Sequence, residues 1–127
     1  MGVPGGHAAP ARILVVDDDP SIRLLCRINL ELDGHEVVEA ESLATTRTAL
    51  AEEDVDVVVL DVHLRGERSD PLVAECHARR PPIPVVLVTG SVDVTDAGLT
   101  EADAVLPKPF ELEQLLSTVR TLARADR

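Results

Sequence analysis

Three runs of consecutive aliphatic residues constrain this chain more than anything else in it: Ile13-Leu14-Val15-Val16, the Val55–Leu60 stretch (VDVVVL) and Pro84–Val88 (PVVLV). A strand with one wet face alternates apolar and polar side chains. A nearly unbroken β-branched run instead marks a strand buried on both faces, as in a parallel sheet covered by helices. Each run stops at a polar group: Asp17-Asp18-Asp19-Pro20, Asp61 and Thr89. Between the runs the pattern turns helical. Pro20 suits a first helical position with Asp19 as the N-cap before it, and this helix is expected to reach about Asp33, where Gly34 supplies a left-handed stop. His35–Glu39 (HEVVE) reads as an edge strand because it carries charges, and Leu43–Glu52 as a helix with Ser42 as N-cap. A loop with Gly66 leads into a helix near Pro71–Arg79, ended by Pro81-Pro82. Ala104–Leu106 is expected as a short strand before Lys108, and Phe110–Ala125 as the last helix.

Strands alternating with helices at short spacing predict an α/β fold with a parallel sheet and helices on both faces. Five such units suggest a doubly wound, five-stranded sheet of order 2-1-3-4-5, a topology that places ligands at the carboxyl ends of the central strands. Residues 12–125 form one domain in this reading, and residues 1–11 (MGVPGGHAAPA), which show no periodicity, a flexible tail. A length of 127 residues suits one such domain and is too short for two. The net charge of −11 argues against nucleic acid as a direct partner. It fits carboxylates gathered around a cation, and equally plain solubility. No apolar run approaches the roughly 18 residues of a membrane span and no charged-then-apolar leader opens the sequence, so a soluble cytoplasmic protein is expected. Cys26 and Cys76 have no metal-ligand spacing and read as reduced core residues. The topology puts their helices on opposite sides of the sheet, too far apart for a disulfide.

In a parallel sheet all carboxyl ends point one way. Asp17 and Asp18, Asp61, Thr89 and Lys108 therefore converge on one crevice in the expected fold. Packed carboxylates repel and raise one another's pKa, which a hard cation relieves. Oxygen ligands with positions left for water and phosphate suit Mg²⁺, or Mn²⁺, better than zinc. A cation beside a carboxylate, a hydroxyl and an amine makes a phosphoryl-acceptor site, with Asp61 attacking phosphorus in line and Lys108 and Thr89 taking up charge. Each residue alone has an ordinary reading, as a helix cap, turn former, strand residue or surface charge. Lys108, however, is the only lysine beside eleven arginines, and a flexible point charge differs from a planar fork.

Four motifs, Ile13–Pro20 (ILVVDDDP), Val57–Val62 (VVVLDV), Val86–Gly90 (VLVTG) and Leu106–Phe110 (LPKPF), resemble those of the receiver domains of two-component response regulators, a CheY-like, flavodoxin-like family. The resemblance covers about Arg12 to Ala125. It implies that Asp61 accepts phosphate from a histidine kinase or histidine phosphotransfer protein and that the domain signals to a downstream protein by contact. Asp18 and Asp61 would ligate Mg²⁺ through carboxylates, Asp17 through water and His63 through its backbone carbonyl. Thr89 and Lys108 would contact the phosphoryl group, and the Lys108–Pro109 bond would be cis.

Three departures from the family pattern stand out. Val105 occupies the place, three residues before the lysine, where receivers usually carry Phe or Tyr. Only eighteen residues separate Thr89 from Lys108, so the fourth helix, within Gly90–Ala102, is expected to be short or irregular. The loop after Asp61 reads His63-Leu64-Arg65-Gly66, in which Arg65 either stays in solvent or pairs with a nearby acid or phosphate, and His63 and Ser91 flank the site. On the first helix Ile22, Leu25, Cys26 and Leu30 are expected to line the core. Leu24, Ile28 and Leu32 form an adjoining flank, either a wide core face or a docking surface for the phosphodonor or a second copy. Catalysis is expected to be limited to the domain's own phosphotransfer and dephosphorylation, so it would not be a metabolic enzyme. A receiver-shaped binding module that works without phosphate is the alternative. A phosphohydrolase ranks last, because the residue two after Asp61, where a second acid is wanted, is His63.

Overall fold

The computed structural model describes residues 10–90 and 101–125, with backbone alone for 124 and 125. The strands are β1 (Arg12–Val16), β2 (Glu36–Ala40), β3 (Val57–Asp61), β4 (His63–Leu64), β5 (Glu67–Arg68), β6 (Val85–Thr89) and β7 (Ala104–Pro107). Among the described residues there are four helices, α1 (Pro20–Leu32), α2 (Leu43–Glu52), α3 (Pro71–His77) and, in this numbering, α4 (Leu112–Ala125). The main sheet is parallel throughout and ordered β2-β1-β3-β6-β7, which is the doubly wound order expected from the sequence once the small β4–β5 hairpin is set aside. Most of Gly90–Ala102, where a short or irregular helix is expected, lies outside the described residues, as do Ser91 and residues 1–9 of the expected tail. Ala11 is buried, and its carbonyl accepts the Glu36 N–H at 2.9 Å.

The aliphatic runs are buried on both faces, as the lack of alternation requires. Ile13, Val15, Val57, Val59, Val86 and Val88 point to one side, where Cys26 and Leu30 of α1 and Leu115 and Val119 of α4 cover them. Leu14, Val16, Val58, Leu60, Val85 and Leu87 point to the other, against Ala49 and Leu50 of α2 and Leu72, Val73 and Cys76 of α3. Each fully buried aliphatic side chain contributes about 1.5–3 kcal/mol of transfer free energy, so the two layers hold the strand ends in a fixed frame. Cys26 and Cys76 sit in different layers as free thiols, and burial pushes both up to about 11.

Local signals behave as their chemistry dictates. Asp19 caps α1 by accepting the Ser21 N–H, Gly34 follows its end at φ 95°, and Ser42 and Thr45 form a reciprocal capping box on α2. The Lys108–Pro109 peptide is cis, and so is Arg80–Pro81. β2 is an edge strand, displaced by one residue from the expected range. β3 begins at Val57 rather than Val55: the Asp56 N–H still donates to the Arg12 carbonyl at 2.8 Å, but the Arg12 N–H goes to the Asp56 carboxylate at 2.7 Å instead of a backbone carbonyl.

Two expectations need correction. Leu25 does not line the core. It is 48% exposed and joins Leu24, Ile28 and Leu32 on the outer flank of α1, while Ile22 is half-buried against the core. Arg23 is half-buried, and its guanidinium donates to the Asp17 carbonyl at 2.8 Å and to Glu39 at 3.1 Å. The stretch after Asp61 is also more ordered than a loop, since β4 and β5 pair antiparallel around Arg65-Gly66.

Candidate functional site

Asp17 follows β1 and is buried. Its N–H donates to the Ala40 carbonyl at 3.1 Å, and its Oδ1 accepts the Asp19 N–H at 2.9 Å. These bonds hold the first acid against the end of the neighbouring strand. Asp18 is half-exposed, and its Oδ2 accepts the Arg65 backbone N–H at 2.8 Å. Asp61 closes β3 and is 8% exposed, with its carboxylate accepting the His63 backbone N–H. One carboxylate oxygen from each of Asp17, Asp18 and Asp61 lies within 4.8 Å of the others. The convergence expected from parallel strand ends is therefore present. Among the described residues this is the one acidic group of its kind.

Lys108 enters from the end of β7. Its N–H donates to the Thr89 carbonyl at 2.7 Å, which ties the lysine loop to the end of β6, and its Nζ stands 3.4 Å from both Asp17 Oδ2 and Asp61 Oδ2. These contacts are longer than the ~2.8 Å of a tight charge-assisted bond, and the amine bridges two acids instead of capping one. Thr89 is buried at the strand end beside them. His63 is exposed, and its backbone N–H faces the Asp61 carboxylate.

The electrostatics follow from this crowding. Burial, then the neighbouring Asp17 charge, pushes the Asp61 carboxyl above its ordinary value, and Lys108 only partly offsets them. For Lys108 burial lowers the pKa, but Asp17 and Asp61 together outweigh it and hold the ammonium above its ordinary value. Two buried acids thus share one amine, and Asp18 adds a third negative charge beside them. The donor set is oxygen only and carries net negative charge, which fits a hard divalent cation such as Mg²⁺.

One supporting residue escaped the sequence reading. Ser69 is fully buried, and its hydroxyl donates to the carbonyls of Asp61 and Val62 while its N–H donates to Val62 O at 2.7 Å. It braces the chain just past the acid. Nothing in a lone serine within Glu67–Asp70 signals this. Ser69→Ala leaves the buried Asp61 carbonyl short of a donor and is expected to cost about 1–3 kcal/mol in urea unfolding.

Comparison with known proteins agrees with this geometry. The family model of the response regulator receiver domain matches residues 13–120. The chain is 36% identical over 118 residues to the response regulator MprA of Mycolicibacterium vanbaalenii, covering 91% of this chain and 51% of that protein. It is 38% identical over 125 residues to the transcriptional regulatory protein TcrA of Mycobacterium tuberculosis, covering 94% of this chain and 48% of the relative. The chain thus spans about half the length of these curated relatives. Among solved structures, the response regulator TrrA of Thermotoga maritima in complex with Mg²⁺-BeF superposes with a TM-score of 0.80 at 28% identity, covering 88% of this chain and 98% of that one. The matched span runs through all four strand-end motifs and every residue of the acidic pocket, and this chain belongs to the response regulator receiver domain family.

Proposed function

We propose that this receiver is an Mg²⁺-dependent phosphoacceptor of a two-component or phosphorelay system, modified on Asp61. The observation that carries the reading is the group of Asp17, Asp18 and Asp61 oxygens within 4.8 Å, with Lys108 Nζ placed 3.4 Å from two of these carboxylates. A free Asp61 oxygen attacks phosphorus of a phosphohistidine donor, the P–N bond breaks, the imidazole leaves and the product is an acyl phosphate. Lys108 and the Thr89 hydroxyl take up charge on the transferred phosphoryl group. Asp18 and Asp61 would hold the cation through their carboxylates, Asp17 through water and His63 through its carbonyl, and Mn²⁺ would serve in place of Mg²⁺. The bound ion supplies neutralisation of phosphoryl oxygens and relief of the repulsion among the acids.

The donor is a histidine kinase or histidine phosphotransfer protein, and the readout is contact with a downstream protein in the cytoplasm. No described helix is long and apolar enough to cross a membrane. The exposed Leu24, Leu25, Ile28 and Leu32 on α1 offer the donor, or a second copy, an apolar surface. The domain's chemistry ends with its own phosphorylation and dephosphorylation, since a hydrolase turning over a separate substrate would want an acid where His63 stands.

Intact-mass measurement after incubation with a small phosphodonor tests this. The expected result is a gain of one phosphoryl group with Mg²⁺ and none with a chelator. No gain with Mg²⁺, or an equal gain without it, overturns the reading and favours a module that works without phosphate.

A further inference from the structure

The β4–β5 hairpin turns on Arg65 and Gly66, at φ 51° and 82°. A two-residue turn with both positions left-handed favours Gly at its first place, because a Cβ crowds the backbone there, or Asn and Asp, whose short polar side chains offset that crowding by local hydrogen bonds. Arginine is a poor choice for the turn itself. What Arg65 does make is two contacts to acids on two other loops: its backbone N–H to Asp18 Oδ2 at 2.8 Å, and its guanidinium to the Glu41 carboxylate. Glu41 follows β2, Asp18 follows β1 and the hairpin follows β3. In the order β2-β1-β3 the Arg65–Glu41 pair therefore spans the end of β1, where the acidic group begins. Glu41 is itself held, with its N–H donating to Thr45 Oγ1 at 3.1 Å in the cap of α2.

The Arg65 and Glu41 side chains are 58% and 47% exposed, and an ion pair that open contributes little to stability. Its consequence is positional. We propose that Arg65 is a positioning residue for the cation site: anchored to Glu41, it keeps its own N–H on one oxygen of Asp18 and leaves the other oxygen set toward Asp61. This rests on the metal-dependent reading given above.

For the Arg65 variants a charge-only role makes the opposite prediction, whereas for Glu41→Gln hydrogen exchange at the Arg65 amide separates the two. Removing a positive charge beside a cation site tightens binding, whereas loosening a carboxylate that a neighbouring group orients weakens it, by about tenfold or more in metal sites. Calorimetric titration of Mg²⁺ into Arg65→Ala, Arg65→Gly and Glu41→Gln should show about tenfold weaker binding in each. The Arg65→Ala/Glu41→Gln double variant should be no weaker than either single one, as residues of one tether are non-additive. Arg65→Gly also relieves the backbone crowding, so its loss cannot be blamed on misfolding. In metal-free protein, Glu41→Gln should speed hydrogen exchange at the Arg65 amide. Unchanged or tighter Mg²⁺ binding in Arg65→Ala, or unchanged exchange at that amide, overturns the proposal. Wild-type protein that takes up no Mg²⁺ overturns the phosphoacceptor reading instead, while the exchange measurement still decides the tether.

Discussion

Asp61→Asn should abolish the phosphoryl gain entirely and, at the same time, raise the melting temperature of the metal-free protein at pH 7. The first effect follows from chemistry, since an amide oxygen is no nucleophile for phosphorus at neutral pH. The second follows from crowding. Burial and Asp17 hold the native Asp61 pKa above its unfolded value of 3.8, so the folded state prefers the protonated acid. Ionised Asp61 therefore costs stability, a cost absent below the unfolded pKa and complete once pH has passed the raised native one. The asparagine removes it, and the gain in melting temperature should shrink as pH falls toward 4. With Mg²⁺ the order reverses. Wild-type protein at about 100 times its Kd gains about 2.7 kcal/mol, a rise on the order of 10 °C, and the variant gains much less. Thermal melts at two pH values, with and without Mg²⁺, check both halves. A variant that still takes up phosphate would remove Asp61 from its role, and one that melts lower without metal would remove the crowding argument.

Lys108→Ala should slow phosphorylation by about 10²–10³-fold, the usual loss when one donor to developing charge is removed from a preorganised site. Its Nζ lies 3.4 Å from the Asp61 and Asp17 carboxylates, and the sequence has no other lysine. Lys108→Arg should recover only part of the rate, because a planar fork cannot take the place of a compact ammonium between two acids. The variant should also be less stable than wild type at pH 7. The native Lys108 pKa is raised, so its stabilisation is full below 10.5 and is lost only as pH climbs through the higher native value. Rates from a time course of intact mass, set beside urea unfolding at pH 7, separate the catalytic loss from the structural one. A rate within threefold of wild type would contradict the role assigned to the amine.

The parts of this molecule that could be read without coordinates are those where one residue type answers to one constraint. An aliphatic run such as Ile13–Val16 has few places to go except between two helical layers, and Asp19-Pro20 and Gly34 mark the ends of α1 by backbone chemistry alone. Strand ends then bring Asp17, Asp18, Asp61 and Lys108 together because a parallel sheet has only one carboxyl edge. What stayed hidden depends on competition between neighbours. The inward stripe of α1 is narrow, centred on Cys26 and Leu30, so Leu25 falls outside it, and the Asp17 carbonyl that holds Arg23 is visible only once the strand end is in place. The β4–β5 hairpin is only two residues to a side around an unusual turn pair, too short for any alternation to show. For Arg65 the sequence leaves solvent, an acid or a phosphate open, and the acid it meets, Glu41, is 24 residues away in sequence.

The claim beneath all of this is that three acids and one lysine from separate strand ends form a single pocket holding one cation next to the phosphate acceptor. A crystal structure grown with Mg²⁺ and beryllofluoride tests it most directly. The expected result is one ion contacted by the Asp18 and Asp61 carboxylates, with the fluoride adduct on Asp61 and Lys108 against it. An ion bound elsewhere, or an adduct on any other side chain, would contradict it.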